Sequence, residues 1–162
     1  MHQIAPMSED QAAIKAAVEK TLEPFGDEYW AKTDETGDWP EEFCDAMAAG
    51  GWLGIAFPEE YGGAGLGLTE AALMMQTVTR SGASAIHLNI FGPKPLERFG
   101  NPEQKRENLP KIISGQEKMC FAVTEPNSGL DTSSLETKAE RTNTGYTING
   151  RKIWTTGAQR AD

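Results

Sequence analysis

Basic charge is scarce in this 162-residue chain: 15 Lys and Arg stand against 24 Asp and Glu, for a net charge of −9. That balance repels phosphate backbones and supplies no counterion-release term to drive nucleic-acid binding. Long apolar runs are missing too. The most hydrophobic windows, Gly51 to Pro58 and Ala71 to Met75, are broken within a few positions by Gly, Pro or polar residues, so no stretch reads as a membrane span. The opening Met1-His-Gln-Ile-Ala-Pro6 has no apolar h-region, and the residues before Pro40 carry Lys15, Lys20 and Lys32 but no Arg. No secretory or transit signal is visible, which makes a soluble, cytoplasmic protein the default expectation. Cys44 and Cys120 lie far apart, at a spacing that matches no metal or redox motif, and read as two buried or half-buried thiols. His2 and His87 have no local ligand partners, which argues against a zinc site.

What is present is one ordinary core's worth of apolar residues, at 38% of the chain, enough for one domain or a small domain plus part of a second. A capping box at Ser8-x-x-Gln11 opens a stripe at Ile14, Ala17, Val18, Thr21, Leu22 and Phe25 with helical period, interrupted near Glu23 by Pro24, with a continuation at Tyr29 and Trp30. Pro40, Glu41 and Glu42 start a short helix that buries Phe43 and Met47 and stops at Gly50-Gly51. From Leu68 to Arg80 a wide apolar face predicts a buried helix, with Ala71, Ala72, Met75, Val78 and Thr79 on one side and Leu73 and Met74 beside them. Ala85 to Phe99 reads as a broken helical segment because of Gly92, Pro93 and Pro95. Asn101-Pro102-Glu-Gln104 opens another helix that buries Leu109, Ile112 and Ile113, is strained by Pro110 and ends at Gly115.

Between these helices lies Trp52 to Gly67, an apolar patch that runs into a glycine-rich loop. Glycine amides can cradle a phosphate. Here Gly62, Gly63, Gly65 and Gly67 do not form Gly-x-Gly-x-x-Gly, no Val/Ile strand precedes them and no Lys-Ser or Lys-Thr follows, so a structural turn is the better reading.

After Gly115 the period changes from helical to alternating. Met119, Phe121 and Val123 alternate with Cys120, Ala122 and Thr124; Leu135 to Thr142 alternates again; a turn at Asn143-Thr-Gly145 leads to Tyr146 to Ile148, a hairpin at Asn149-Gly150 and a strand at Lys152 to Thr156. The expected fold class is therefore α+β, with an all-helical domain over residues 1–115 and the first strands of an antiparallel β-domain over 116–162, divided near Ser114 to Lys118.

Two strand segments carry threonines in apolar surroundings: Thr124, just before Glu-Pro, and Thr155 and Thr156, just after Trp154. Any one of them is ordinarily a satisfied cross-strand neighbour. Together they suit an isoalloxazine ring, which needs a flat apolar wall that Trp can provide and a few fixed donors at its edge that Thr hydroxyls and strand-end amides can provide.

The segment Phe121-Ala-Val-Thr-Glu-Pro-Asn-Ser-Gly-Leu-Asp131 resembles the signature of the acyl-CoA dehydrogenase family, in which Thr-Glu-Pro is followed by a small loop and Gly-Ser-Asp. Further matches occur in the family's order at Pro58-Glu-Glu-Tyr-Gly-Gly63, Phe99-Gly-Asn-Pro-Glu-Gln-Lys105 with Leu109-Pro110, and Tyr146-Thr-Ile-Asn-Gly-Arg-Lys-Ile-Trp-Thr-Thr156. The resemblance implies FAD as cofactor, lined by Phe121, Val123 and Thr124. It implies that Trp154 covers the ring face away from the acyl chain, with Thr155 next to it, and that Thr156 sets a hydroxyl near N5. Gly129, Leu130 and Asp131 would border both flavin and acyl-CoA. Leu130 departs from the pattern, since a leucine in the usual place of Ser leaves only the backbone amide as donor.

The chemistry that the resemblance implies is α,β-desaturation of an acyl-CoA thioester, as in fatty-acid β-oxidation, with hydride passing to flavin N5 and electrons leaving to an electron-transfer flavoprotein or similar acceptor. The family's carboxylate base belongs to a C-terminal helical bundle, and this chain is expected to stop before it. No acid of the chain is therefore nominated as catalytic, and Glu125 is read as a structural residue of the Thr-Glu-Pro turn. The parent is expected to be a homodimer or homotetramer, and the 162-residue piece itself to be inactive. Two alternatives share the fold: a non-catalytic scaffold, and a flavoenzyme acting on something other than a thioester.

Overall fold

A computed structural model describes residues 6–84 and 90–162. The chain divides into two compact units, one ending at Glu117 and the other beginning at Lys118. His2, His87 and the start of the segment from Ala85 lie outside the described residues.

The first unit is helical. Helix α1 (Glu9–Leu22) begins at the reciprocal Ser8/Gln11 box and ends just before Pro24, and α2 (Asp27–Thr36) takes up the chain after the break, closing on Gly37 in left-handed geometry. Helix α3 (Glu41–Ala49) starts behind Pro40 and buries Phe43 and Met47. Helix α4 spans Leu68–Arg80, α5 Lys94–Phe99 and α6 Pro102–Ile113, the last opened by a reciprocal Asn101/Gln104 box. Helix α1 packs against α4. The buried face of α4 is Ala71, Met74, Thr77 and Val78, whereas Ala72 and Thr79 are exposed. The expected apolar face was thus mis-phased: Met74 points into the core, and Ala72 and Thr79 are small enough to sit at the surface without penalty.

The principal core joins Val18, Leu22, Phe25, Phe43, Met47, Ile55, Ala71, Met74 and Val78. Phe43 is its aromatic hub, meeting Phe25 and Trp30 edge to face at centroid distances of 5.6 and 5.1 Å. A smaller cluster gathers Phe57, Leu109 and Ile113, with Leu96 and Tyr61 against it.

The glycine loop is stitched onto the segment before it. The amides of Gly63, Ala64, Gly65 and Leu66 donate to the carbonyls of Pro58, Gly54, Phe57 and Ile55 at 2.8–3.1 Å, and that of Gly67 donates to the Glu70 carboxylate at 3.1 Å. A side chain at Gly63 would overlap the Phe57 carbonyl. These glycines permit close backbone approach, and the amides that could have held a phosphate are already engaged.

In the second unit the chain forms one antiparallel ladder, β1 (Lys138–Thr142) with β2 (Gly145–Asn149), in the register Ala139 opposite Ile148 and Arg141 opposite Tyr146. All ten strand residues are exposed. The turn at Asn143-Thr144 is where the sequence put it. Three other strand expectations fail: Met119 to Thr124, Leu135 to Thr137 and Lys152 to Thr156 carry no ladder, and Asn149-Gly150 is not a hairpin turn. Alternation alone does not make a strand; backbone partners do, and these segments have isolated links instead of ladders among the described residues.

Candidate functional site

The segment 118–124 and the segment 153–162 run alongside one another in opposite directions. Ile153 N donates to the Thr124 carbonyl at 3.0 Å. At the far end the Asp162 amide donates to the Lys118 carbonyl at 3.0 Å, and the Lys118 amide donates to the Asp162 carboxylate at 2.7 Å. Between these ties the chain turns at 155–160 through Gly157, which is left-handed at φ 78°, so no continuous ladder forms.

Lys152 sits at the join. Its ammonium donates to the Val123 carbonyl at 2.9 Å and to the Glu125 carboxylate at 2.8 Å. Glu125 is only 4% exposed, and its carboxylate also accepts the amides of Glu136 at 2.6 Å and Thr137 at 3.0 Å. The hydrogen bond from Lys152, followed by those from Thr137 and Glu136, holds the carboxyl down to about 2. With three donors on its two oxygens and almost no solvent exposure, this carboxylate is committed to structure. Its role here is to fasten the loop after Thr-Glu-Pro to the Lys152 segment.

That loop is built from short polar links. Glu125 and Ser128 exchange backbone hydrogen bonds around Pro126-Asn127, and the Ser128 hydroxyl donates to the Asp131 carbonyl at 2.6 Å. The Asp131 carboxylate caps the turn at Thr132–Ser134, accepting from the Ser133 amide and from the hydroxyls of Ser133 and Ser134. These hydroxyls, Ser133 first, lower its pKa below the usual carboxylate range. Gly129 and Leu130 lie at the exposed outer part of the loop, and Leu130 has no side-chain cover at all.

Of the residues singled out from the sequence, Phe121, Val123 and Thr124 lie on one side of the Thr124–Ile153 link, and Trp154, Thr155 and Thr156 follow directly on the other. Val123, Thr124 and Thr155 are half-buried, Phe121 and Thr156 are exposed, and Trp154 is 86% exposed. Trp154 is also the one non-glycine residue with positive φ among the described residues, at 57°. For an L-residue that conformation costs about 1–2 kcal/mol.

The donor chemistry suits a flavin edge. Among the described residues, the hydroxyls of Thr124, Thr155 and Thr156 and the amides of Thr124, Leu130 and Thr156 make no hydrogen bond, and the Trp154 indole has no ring or hydrogen-bond partner. A flat aromatic surface and several idle donors on two joined segments are what an isoalloxazine requires. Asp131, by contrast, is occupied as a cap. The sequence reading missed Lys152, whose signal was a cation at the head of the Ile-Trp-Thr-Thr run that could pair with the acid of the Thr-Glu-Pro motif.

The family model for the acyl-CoA dehydrogenase N-terminal domain matches residues 8–116, and that for the middle domain matches residues 120–162. The chain belongs to the acyl-CoA dehydrogenase family. It is 36% identical over 148 residues to a 3-(aryl)acrylate reductase of Clostridium sporogenes, covering 89% of this chain and 38% of that protein. It is also 36% identical over 163 residues to the mitochondrial isovaleryl-CoA dehydrogenase of Pongo abelii, covering 96% of this chain and 38% of the relative. Among solved structures, an acyl-CoA dehydrogenase complexed with FAD from Bacillus anthracis superposes with a TM-score of 0.84 at 30% identity, over 96% of this chain and 28% of that one. The chain thus spans about 33–40% of the length of the curated relatives it matches.

Proposed function

We propose that this chain carries the flavin-binding wall of an FAD-dependent dehydrogenase that desaturates the α,β-bond of an acyl-CoA thioester. The observation that carries the reading is the set of idle donors at Thr124, Thr155 and Thr156 beside an outward-turned Trp154, on two segments joined at Thr124 and Ile153. Family membership supports FAD as the group that this wall receives.

When bound, FAD supplies the hydride acceptor for oxidation of the thioester. The chain's own part is to bind and orient. Thr124 and Thr156 would hold the flavin edge through their hydroxyls and amides, Thr124 at the pyrimidine side and Thr156 at the hydride-accepting side, and Trp154 would cover one ring face and exclude water from it. Gly129 to Asp131 border the acyl-CoA. The proton-abstracting carboxylate is assigned to no residue of this chain, because Glu125, the one buried acid among the described residues, already holds three donors. An electron-transfer flavoprotein is the proposed acceptor, and a homodimer or homotetramer the proposed assembly.

Leu130 favours a second reading. The family's usual serine would place a hydroxyl at a corner that this chain fills with an exposed apolar side chain, which suits a same-fold flavoenzyme acting on a substrate other than an acyl thioester. Anaerobic mixing of the FAD-loaded protein, expressed from its complete coding region, with acyl-CoA thioesters of graded length separates the two. The proposed function predicts bleaching of the oxidised-flavin band. No bleaching by any thioester, with bleaching by a non-thioester compound, supports the second reading.

A further inference from the structure

Trp154 poses a mechanical question. Its backbone is left-handed, yet its indole touches no ring and no hydrogen-bond partner among the described residues. A side chain that is 86% exposed cannot hold its own backbone in a strained conformation. Such conformations persist only where the surroundings over-determine them. The restraint must therefore come from neighbours in the chain. After Trp154 comes a short turn through Gly157, and the next tie to the facing segment, Asp162 with Lys118, lies beyond that turn. Before it come two fixed points in succession: the Ile153 amide on the Thr124 carbonyl, and the Lys152 ammonium shared between Val123 and Glu125.

We propose that Lys152 is a positioning residue for the flavin wall: by bridging the Val123 carbonyl and the Glu125 carboxylate it locks the register of the 152–156 segment against 121–125 and thereby keeps the Trp154 indole turned outward beside Thr124. The bridge is well suited to this. Lys152 is the cation of an ion pair whose acid partner is almost fully buried, and that acid is independently fixed by the amides of Glu136 and Thr137. One end of the clamp is therefore anchored in the loop and the other travels with Trp154. A buried pair broken on one side leaves an uncompensated charge, so the register it fixes is steeply specified. Both acceptors of its ammonium belong to the 121–125 segment, so Lys152 acts through Trp154.

This inference rests on the flavin reading above, and its test separates the two. FAD is titrated into the apoprotein, expressed from its complete coding region, and followed by quenching of flavin fluorescence, for wild type, W154A, K152M, K152R and the double variant K152M/W154A. The expected result is that W154A and K152M each raise the FAD Kd about tenfold and restore flavin emission. The double variant should be no weaker than the worse single one, a coupling of about 1.4 kcal/mol. K152R, which can still reach both acceptors, should lie near wild type. Additive losses in the double variant, or a normal Kd and emission in K152M beside a weakened W154A, would overturn the clamp while leaving the flavin wall intact. A normal W154A would remove both. If K152M does not fold, E125Q carries the same cycle, since it discharges the anchored end of the bridge at nearly constant volume.

Discussion

Gly150 lies so close to Thr137 that a methyl group on its α-carbon would overlap the threonine hydroxyl and stand 2.6 Å from Cβ and 2.8 Å from Cα. The glycine does not make a turn; it lets the end of β2 pass flush against the residue that enters β1. Gly150→Ala should destabilise the second unit by about 1–3 kcal/mol, as overpacking of a fitted contact does. Urea titration followed by hairpin NMR cross-peaks between Ala139 and Ile148 checks this, and an unchanged midpoint would contradict the close approach.

Phe43 is fully buried and joins Phe25 and Trp30 through edge-to-face contacts. Phe43→Ala should cost the helical unit about 3–5 kcal/mol. The measurement is the denaturant midpoint of far-ultraviolet circular dichroism.

Acid should loosen the second unit through Glu125. Its carboxyl is held down to about 2 from an ordinary value of 4.5. Its folded pKa is the lower one, so its contribution to stability is complete above about 4.5 and fades as the pH falls towards 2. Glu125→Gln should remove that part of the pH dependence, and Lys152→Met should shrink it, since Lys152 is the largest cause of the shift. Thermal melts at a series of pH values between 2 and 6 read the difference. Identical acid sensitivity in wild type and Glu125→Gln would contradict the assignment.

The reach of the sequence followed the range of the interactions. Both capping boxes, Ser8/Gln11 and Asn101/Gln104, were legible because each is closed within one turn. The glycine loop was recognisable as structural from spacing alone. The face of α4 was read one step off because Ala72 and Thr79 are compatible with either side. The strands beyond β1 and β2 were over-read, since alternation reports which side a residue faces but not whether a partner backbone exists. At the candidate site the Trp and Thr residues were visible as motif members. Lys152 was not, because its meaning depends on Glu125, 27 positions away in the chain.

The 162-residue chain by itself should bind FAD weakly or not at all. Both faces of the β1–β2 ribbon are exposed, as are Phe121, Leu130 and Trp154, so among the described residues no second layer covers the wall. Gel filtration with excess FAD should return a colourless protein; a stoichiometric yellow complex would contradict this.

On the flavin reading, the idle amides and hydroxyls around Thr124 and Thr156 are reserved for the cofactor. Hydrogen exchange of the protein from its complete coding region, with and without FAD, reads this at single residues. New protection is expected at the amides of Thr124, Leu130 and Thr156 and none at residues 62–67, whose amides are already bonded. FAD-dependent protection in the glycine loop, with none in 121–131 or 152–157, would contradict it.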